Sequence, residues 1–288
     1  VVAANGAGGP VVLTGGTRGI GSAAALELAA RGVPLVLGVR DIERGLTSRR
    51  AILQQVPGAE VGLLPLDLAS LGSVREFAAM YADAYGPWSA LVLNAGVKLQ
   101  PKRTLTPDGF EMHFGVNHLG HFALTGLLLP VAAPEARVVT VTSIAARMGH
   151  ILFHDLRFDH GYRPFRAYAA SKRANLVFAA ALHRRIREDA LPLRSIATHP
   201  GYALSREQLR SPLHLAERAF AHDYAAGAET IVTAVTSPDL VGGELVAPTG
   251  PMQTSGSPGV VPTPSIVDDE LLGARLWRIS GQLTRIPW

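Results

Sequence analysis

Val11-Val12-Leu13-Thr14-Gly15-Gly16-Thr17-Arg18-Gly19-Ile20-Gly21 joins a short apolar run to a glycine-rich turn. An Ala- and Leu-rich segment, 22–31, follows and stops at Gly32 and Pro34. The apolar run predicts a strand, and the segment after the turn predicts a helix. Glycine lets backbone approach a phosphate closely, and a helix start offers unpaired N–H groups and the positive end of a dipole. Strand, turn and helix together predict a dinucleotide-binding unit. Its candidate contacts are Gly15, Thr17, Arg18, Gly19, Ile20 and Gly21.

Moving outward, residues 35–39 form a second apolar strand that ends at Arg40-Asp41. An acidic residue closing this strand would accept bonds from the ribose hydroxyls of NAD. Val39 cannot do so, whereas Arg40 can pair a 2′-phosphate, helped by Arg18 from the glycine turn. The pair favours NADP(H), and Asp41 leaves NAD(H) open as the second cofactor. A helix over 42–56 and a strand over 60–66 lead to Asp67-Leu68. The Asp67 carboxylate is placed either to bond an adenine amino group or to cap the next helix, 70–84. A fourth strand, 90–93, ends in Asn94-Ala95-Gly96, small residues suited to close backbone approach by a ligand.

The second half continues the alternation. A helix over 110–129 carries Asn117, His118 and His121. The two histidines are four apart with no third ligand, so no metal site is expected. A strand over 137–142 ends at Ser143, and an irregular loop, 145–164, holds scattered histidines. The helix from Pro164 to about Asp189 carries Tyr168 and Lys172, four residues apart and so on one face. A nearby ammonium favours a phenolate. A strand over 193–198, the turn His199-Pro200-Gly201-Tyr202, helices over 213–220 and 224–236, and a strand over 243–247 follow. Residues 250–264 are Gly/Pro-rich and loop-like, and a last helix spans about 268–284. The expected architecture is α/β, a doubly wound (Rossmann) parallel seven-stranded sheet with helices on both faces. It forms a single domain over 10–288, preceded by a disordered tail, 1–9.

The 288 residues bury enough surface to need no disulfide, and there is no cysteine. Net charge is +4, hydrophobic residues make 48% and charged residues 17%. Basic residues are dispersed without interleaved aromatics, which argues against nucleic-acid binding and suits an anionic cofactor. No apolar run reaches the ~18 residues of a membrane span. The first ten residues lack the pattern of a signal peptide. The missing initiator Met suggests a trimmed chain, and the expected location is cytoplasmic.

Ser143, Tyr168 and Lys172 fall at or beside the carboxyl ends of strands, where an open α/β sheet binds its ligand. With the turn 14–21, Asn94-Ala95-Gly96, the Asn117 helix and Pro200-Gly201, they resemble the short-chain dehydrogenase/reductase family over nearly the whole chain. Arg40-Asp41, Asp67-Leu68-Ala69-Ser70 and the stretch Tyr162–Lys172 look like its retinol-dehydrogenase/protochlorophyllide-reductase-like branch. Gly242-Gly243-Glu244 with Leu276-Trp277 looks like bacterial members. The cysteine of the protochlorophyllide-reductase type is absent, so photochemical reduction is not expected.

The resemblance implies roles residue by residue. Tyr168 is the general acid/base, and Ser143 polarises the substrate carbonyl. Lys172 lowers the Tyr168 pKa and binds the nicotinamide ribose, and Asn117 holds a water in a proton relay. Pro200 and Gly201 join the cofactor site, and Ser205 stands where the family often has a threonine bonding the carboxamide. A substrate lid is expected near 202–222, with Met148, Phe165, Tyr202 and Leu204 as pocket walls. The implied activity interconverts a carbonyl and an alcohol on an apolar small molecule with NADP(H). A non-redox isomerase or cyclase, and a nucleotide-sensing binding protein, are the alternatives. Family members often pair as homo-oligomers through the helices holding Asn117 and Tyr168, although relatives on this branch can be monomers.

Overall fold

The first strand, β1 (Val11–Thr14), lies inside the sheet, and the chain builds outward from it in both directions. In this computed structural model the described residues are 8–210, 221–286 and 288. β1 pairs in parallel with β2 (Leu35–Val39), which pairs with β3 (Val61–Pro65). On its other side β1 pairs with β4 (Trp88–Leu93), followed by β5 (Ala132–Val141) and β6 (Leu193–Thr198), all parallel. Two short strands, β7 (Ala203–Leu204) and β8 (His222–Asp223), pair apart from this sheet. β9 (Leu245–Pro248) then joins β6, and β10 (Pro258–Val261) closes the edge antiparallel to β9. The reversal of strand order between β1 and β4 opens a crevice at the carboxyl ends of the strands.

Among the described residues the sheet therefore has eight strands, not seven, and one is antiparallel. β10 lies in the stretch expected to be a loop. An edge strand needs partners on one side only, so Pro258 at its start is tolerated and the Gly/Pro-rich surroundings hide it.

Side chains alternate along β1. Val11 and Leu13 enter one core with Leu28 and Ile231, while Val12 enters the other with Phe77, Phe122 and Phe178. Every β1 residue is buried, as expected of a strand covered on both faces. The first core is covered by α1 (Gly19–Ala30) and α7 (Tyr224–Thr236), with α2 (Ile42–Gln55) at its edge. The second is covered by α3 (Leu71–Ala84), α4 (Gly120–Leu128), α5 (Pro164–Glu188) and α8 (Glu270–Thr284). α5 starts with Pro164 in its first turn, where a missing N–H costs nothing, and has Arg185 and Arg187 in its last, where the dipole favours cations.

The helix expected over 110–129 is three pieces: a π-helical turn, Phe114–Leu119, then α4, then a 3-10 turn, Leu129–Val131. The segment expected as a lid holds β7, α6 (Arg206–Arg210) and the first residue of β8. The helix expected over 213–220 and the rest of that lid, within 211–220, lie outside the described residues, as do residues 1–7 of the expected tail.

Candidate active site

The glycine turn is shaped by what packs behind it. A Cβ at Gly21 would overlap the Gly15 carbonyl and the Asn94 amide, so this glycine lets α1 start hard against the strand ends. At Gly19 (φ 58°) a Cβ would meet nothing nearer than the Tyr224 ring at 3.9 Å, which leaves the front of α1 open. Ile20 packs on the first core, and the Thr17 carbonyl accepts from Ser48 Oγ at 3.3 Å. Arg18 precedes the first residue of α1 and is exposed, as is Arg40 just past β2. Asp41 is committed elsewhere. It caps α2 by accepting from the Arg44 N–H at 3.0 Å. Asp67 accepts from the Ala69 N–H at 3.0 Å, Leu68 is buried, and Ser70 rather than Asp67 caps α3.

Thr14 ties the strand ends together. Its hydroxyl accepts from the Asn94 and Ala95 N–H groups at 3.0 and 2.9 Å and lies 2.9 Å from His121 Nε2. His121 Nδ1 lies 3.0 Å from the Asn117 carbonyl and must donate to it, so Nε2 is a bare acceptor facing the Thr14 hydroxyl, which also reaches the Val92 carbonyl at 3.2 Å. Burial lowers the imidazole to about 4, which keeps it neutral for this role. Asn94 Nδ2 donates to the Thr14 carbonyl at 2.8 Å.

Ser143 lies two residues past β5 and caps a 3-10 turn, Ile144–Arg147. Lys172, 5% exposed, donates from Nζ to the Val141 carbonyl at 3.0 Å. Thr142 Oγ1 donates to the Lys172 carbonyl at 2.7 Å, which fastens α5 to the end of β5. Burial, and then the Lys98 ammonium, bring Lys172 down to about 8. Burial pushes the Tyr168 phenol up, and the Ser143 hydroxyl beside it pulls it down. The spacing argument expected Lys172 to lower the phenol. The phenol is raised instead, because desolvation outweighs the Ser143 hydroxyl.

Asn117 sits in the π-helical turn, a distortion frequent at functional sites. Its Oδ1 accepts from the Val97 N–H at 2.8 Å, and its Nδ2 donates to Ser171 Oγ at 2.9 Å. A Cβ on Gly96 would stand 3.0 Å from Asn117 Oδ1 and 3.7 Å from Lys172 Nζ, so these three residues meet at one point.

Several supports carried no signal of their own in the sequence. Glu111 and His113 are fully buried and paired at 2.7 Å, with the His113 ring edge-on to Tyr168 at 6.2 Å between centroids. Glu111 Oε2 accepts from the Phe114 N–H at 2.9 Å and His113 Nε2 from the Gln100 N–H at 3.3 Å. The pair thus fixes the start of the π turn and the loop after Gly96. The signal available was two titratable residues on a predicted helix that starts later than its hydrophobic pattern. His118 is a core residue whose Nε2 lies 2.8 Å from Ser280 Oγ.

Pro200 and Gly201 follow β6, and the Pro200 carbonyl lies 2.6 Å from His222 Nε2. Ser205 caps α6, accepting from the Gln208 N–H at 3.1 Å while Gln208 Oε1 accepts from the Ser205 N–H at 2.9 Å. Of the expected pocket walls, Met148, Phe165 and Tyr202 are exposed, and Leu204 is buried in β7. A cavity of about 360 Å³ bounded by Phe110, Phe114, His154, Asp155 and Leu283 includes none of Asn117, Ser143, Tyr168 and Lys172. Among the described residues no three acidic or histidine side chains could hold a metal ion, and no helix is long and apolar enough to cross a membrane.

The family model described as short chain dehydrogenase matches residues 10–210. Over 287 residues the chain is 36% identical to retinol dehydrogenase 12 of Mus musculus, covering 96% of this chain and 87% of that protein. Human retinol dehydrogenases 13 and 11 are 40% and 41% identical over 210 and 193 residues, which span only 62% and 60% of their lengths. A crystal structure of an uncharacterized protein from Mycobacterium paratuberculosis superposes with a TM-score of 0.82 at 38% identity, over 97% of this chain and 95% of that one. A short chain dehydrogenase from Burkholderia cenocepacia in complex with NADP shares the fold, with a TM-score of 0.66 and 22% identity over 82% of this chain and 94% of that one.

Proposed function

This chain belongs to the short-chain dehydrogenase family, on its retinol-dehydrogenase-like branch, and from that membership we propose an NADP(H)-dependent enzyme that interconverts a carbonyl and an alcohol on an apolar small molecule. The reading is supported by two groupings, the Ser143 hydroxyl beside the Tyr168 phenol, and Gly96, Asn117 and Lys172 meeting at one point, in a sheet whose first turn is open at Gly19.

The residues present fit a dinucleotide. The open front of α1 at Gly19 suits the pyrophosphate. Arg18 and Arg40 suit a 2′-phosphate, while Asp41 caps α2 through Oδ1. Lys172, Pro200, Gly201 and Ser205 would hold the nicotinamide end. Bound NADP(H) would supply the hydride.

The chain's own groups handle the oxygen. Ser143 donates a hydrogen bond to the substrate carbonyl, where negative charge develops. Tyr168, kept protonated by its raised pKa, gives its proton to that oxygen during reduction and takes one back during oxidation. Lys172 places positive charge behind the phenol, and Asn117 holds the Val97 loop against the α5 face that carries Ser171.

The test is loss of NADPH absorbance in the presence of apolar aldehydes and ketones. Tyr168→Phe is expected to lower kcat by roughly 10²–10⁴-fold while leaving NADPH affinity nearly unchanged. Undiminished turnover by that variant would remove Tyr168 from the chemistry. Product formed without NADPH consumption would replace the redox reading with an isomerase or cyclase.

A further inference from the structure

Met252 and Gln253 hold φ angles of 51° and 58°, two consecutive side-chain-bearing residues in the left-handed region. Such a conformation persists only where surrounding contacts impose it, and it marks a place to look for function. Both lie in a 3-10 turn, Pro251–Gln253, in the connection from β9 to β10.

The contacts that impose it converge on one atom. Gln253 Oε1 accepts from Arg147 Nη2 at 2.8 Å and from His199 Nε2 at 3.0 Å. His199 Nδ1 accepts from the Gly201 N–H at 3.2 Å, so Nε2 carries the ring's proton and points it at Gln253. His199 is 2% exposed, and burial holds its imidazole neutral, down to about 4. The neighbouring Thr254 carbonyl accepts from the Tyr202 N–H at 2.8 Å, and a Cβ on Gly201 would overlap that carbonyl. Arg147 ends the turn that Ser143 begins. The Gln253 amide is therefore the tie between the turn carrying Ser143 and the turn His199-Pro200-Gly201.

We propose that Gln253 is a positioning residue, whose amide oxygen sets the placement of the Ser143 hydroxyl relative to the Pro200-Gly201 turn. Its consequence for catalysis rests on the reading above, in which Ser143 holds the substrate carbonyl and Pro200-Gly201 lies at the nicotinamide. The tie itself does not.

Gln253→Gly and Gln253→Glu separate the tie from the strain. Glycine relieves the left-handed backbone and removes the acceptor. Its Tm should change little, as relief of the backbone offsets the lost His199 and Arg147 bonds, while kcat with NADPH and decanal falls about 10- to 100-fold, more than KM or the NADPH dissociation constant changes. Glutamate keeps an oxygen for both donors and should restore kcat to within roughly threefold. A glycine variant with undiminished kcat, or a glutamate variant no better than glycine, overturns the proposal. Nitrogen NMR of the His199 imidazole reads the tie without turnover. The Nε2–H tautomer should dominate in the unaltered protein and its signals should move in Gln253→Gly. If no carbonyl is reduced, the functional reading falls, and unmoved His199 signals would separately overturn the tie.

Discussion

Lys172 is held in surroundings that oppose its charge, and this gives a residue-scale test of site against scaffold. Its pKa falls from 10.5 to about 8 because burial strips water from the ammonium. Below pH 8 the folded and unfolded chains both carry the proton and the cost of charge burial is full, on the order of 3 kcal/mol. Between pH 8 and 10.5 the unfolded chain binds more protons, so this group makes stability rise with pH across that window. Lys172→Met should therefore raise Tm at neutral pH and abolish that rise, while kcat drops by at least roughly 10²-fold. The Val141 carbonyl would keep Asn175 Nδ2 at 3.2 Å, so the substitution orphans no acceptor there. A variant less stable at neutral pH would show that Lys172 is structural. At this scale helical spacing put Tyr168 and Lys172 on one face, and only the motifs around them marked the pair as a candidate site. Gln253 was not, because its significance depends on a left-handed backbone and on partners 106 and 54 residues away.

At the scale of elements, Thr14 joins three of them: β1, the end of β4 and the helical segment holding Asn117 and His121. Thr14→Val would leave the Asn94 and Ala95 N–H groups and His121 Nε2 without their shared partner. The expected loss is roughly 3 kcal/mol, read as a lowered urea midpoint with an unchanged slope. Coincident midpoints would mean that the three groups find other partners. The sequence showed Thr14 as a strand residue before the glycines and nothing more, since a hydroxyl's partners come from tertiary structure. Helix and strand periodicity marked most elements to within a few residues. It failed at β10, where edge pairing tolerates Pro258, and at Phe114–Leu119, where a hydrophobic pattern continuous with α4 conceals the π turn.

At the scale of the molecule, the reversal of strand order between β1 and β4 puts the glycine turn, Ser143 and the start of α5 at the carboxyl end of one sheet. The second core is closed by α8, whose Trp277 stacks with Phe178 at 5.8 Å and meets Trp288 at 4.3 Å between centroids. α8 thus packs on α4 and α5 and buries part of their apolar surface within one chain. The doubly wound class and the position of the crevice were legible because glycine turn, strand-end residues and Tyr168–Lys172 occur in a fixed order. Substrate identity was not legible, since the expected walls Met148, Phe165 and Tyr202 are exposed and the lid region extends beyond the described residues. The central claim is an NADP(H) site in that crevice. Its most direct test is titration of the protein with NADPH and with NADH, repeated with Arg40→Ala. NADPH should bind at least about tenfold more tightly than NADH, and the variant should lose most of that preference while keeping NADH affinity. Binding of neither cofactor, or a preference for NADH that Arg40→Ala leaves unchanged, would contradict the account.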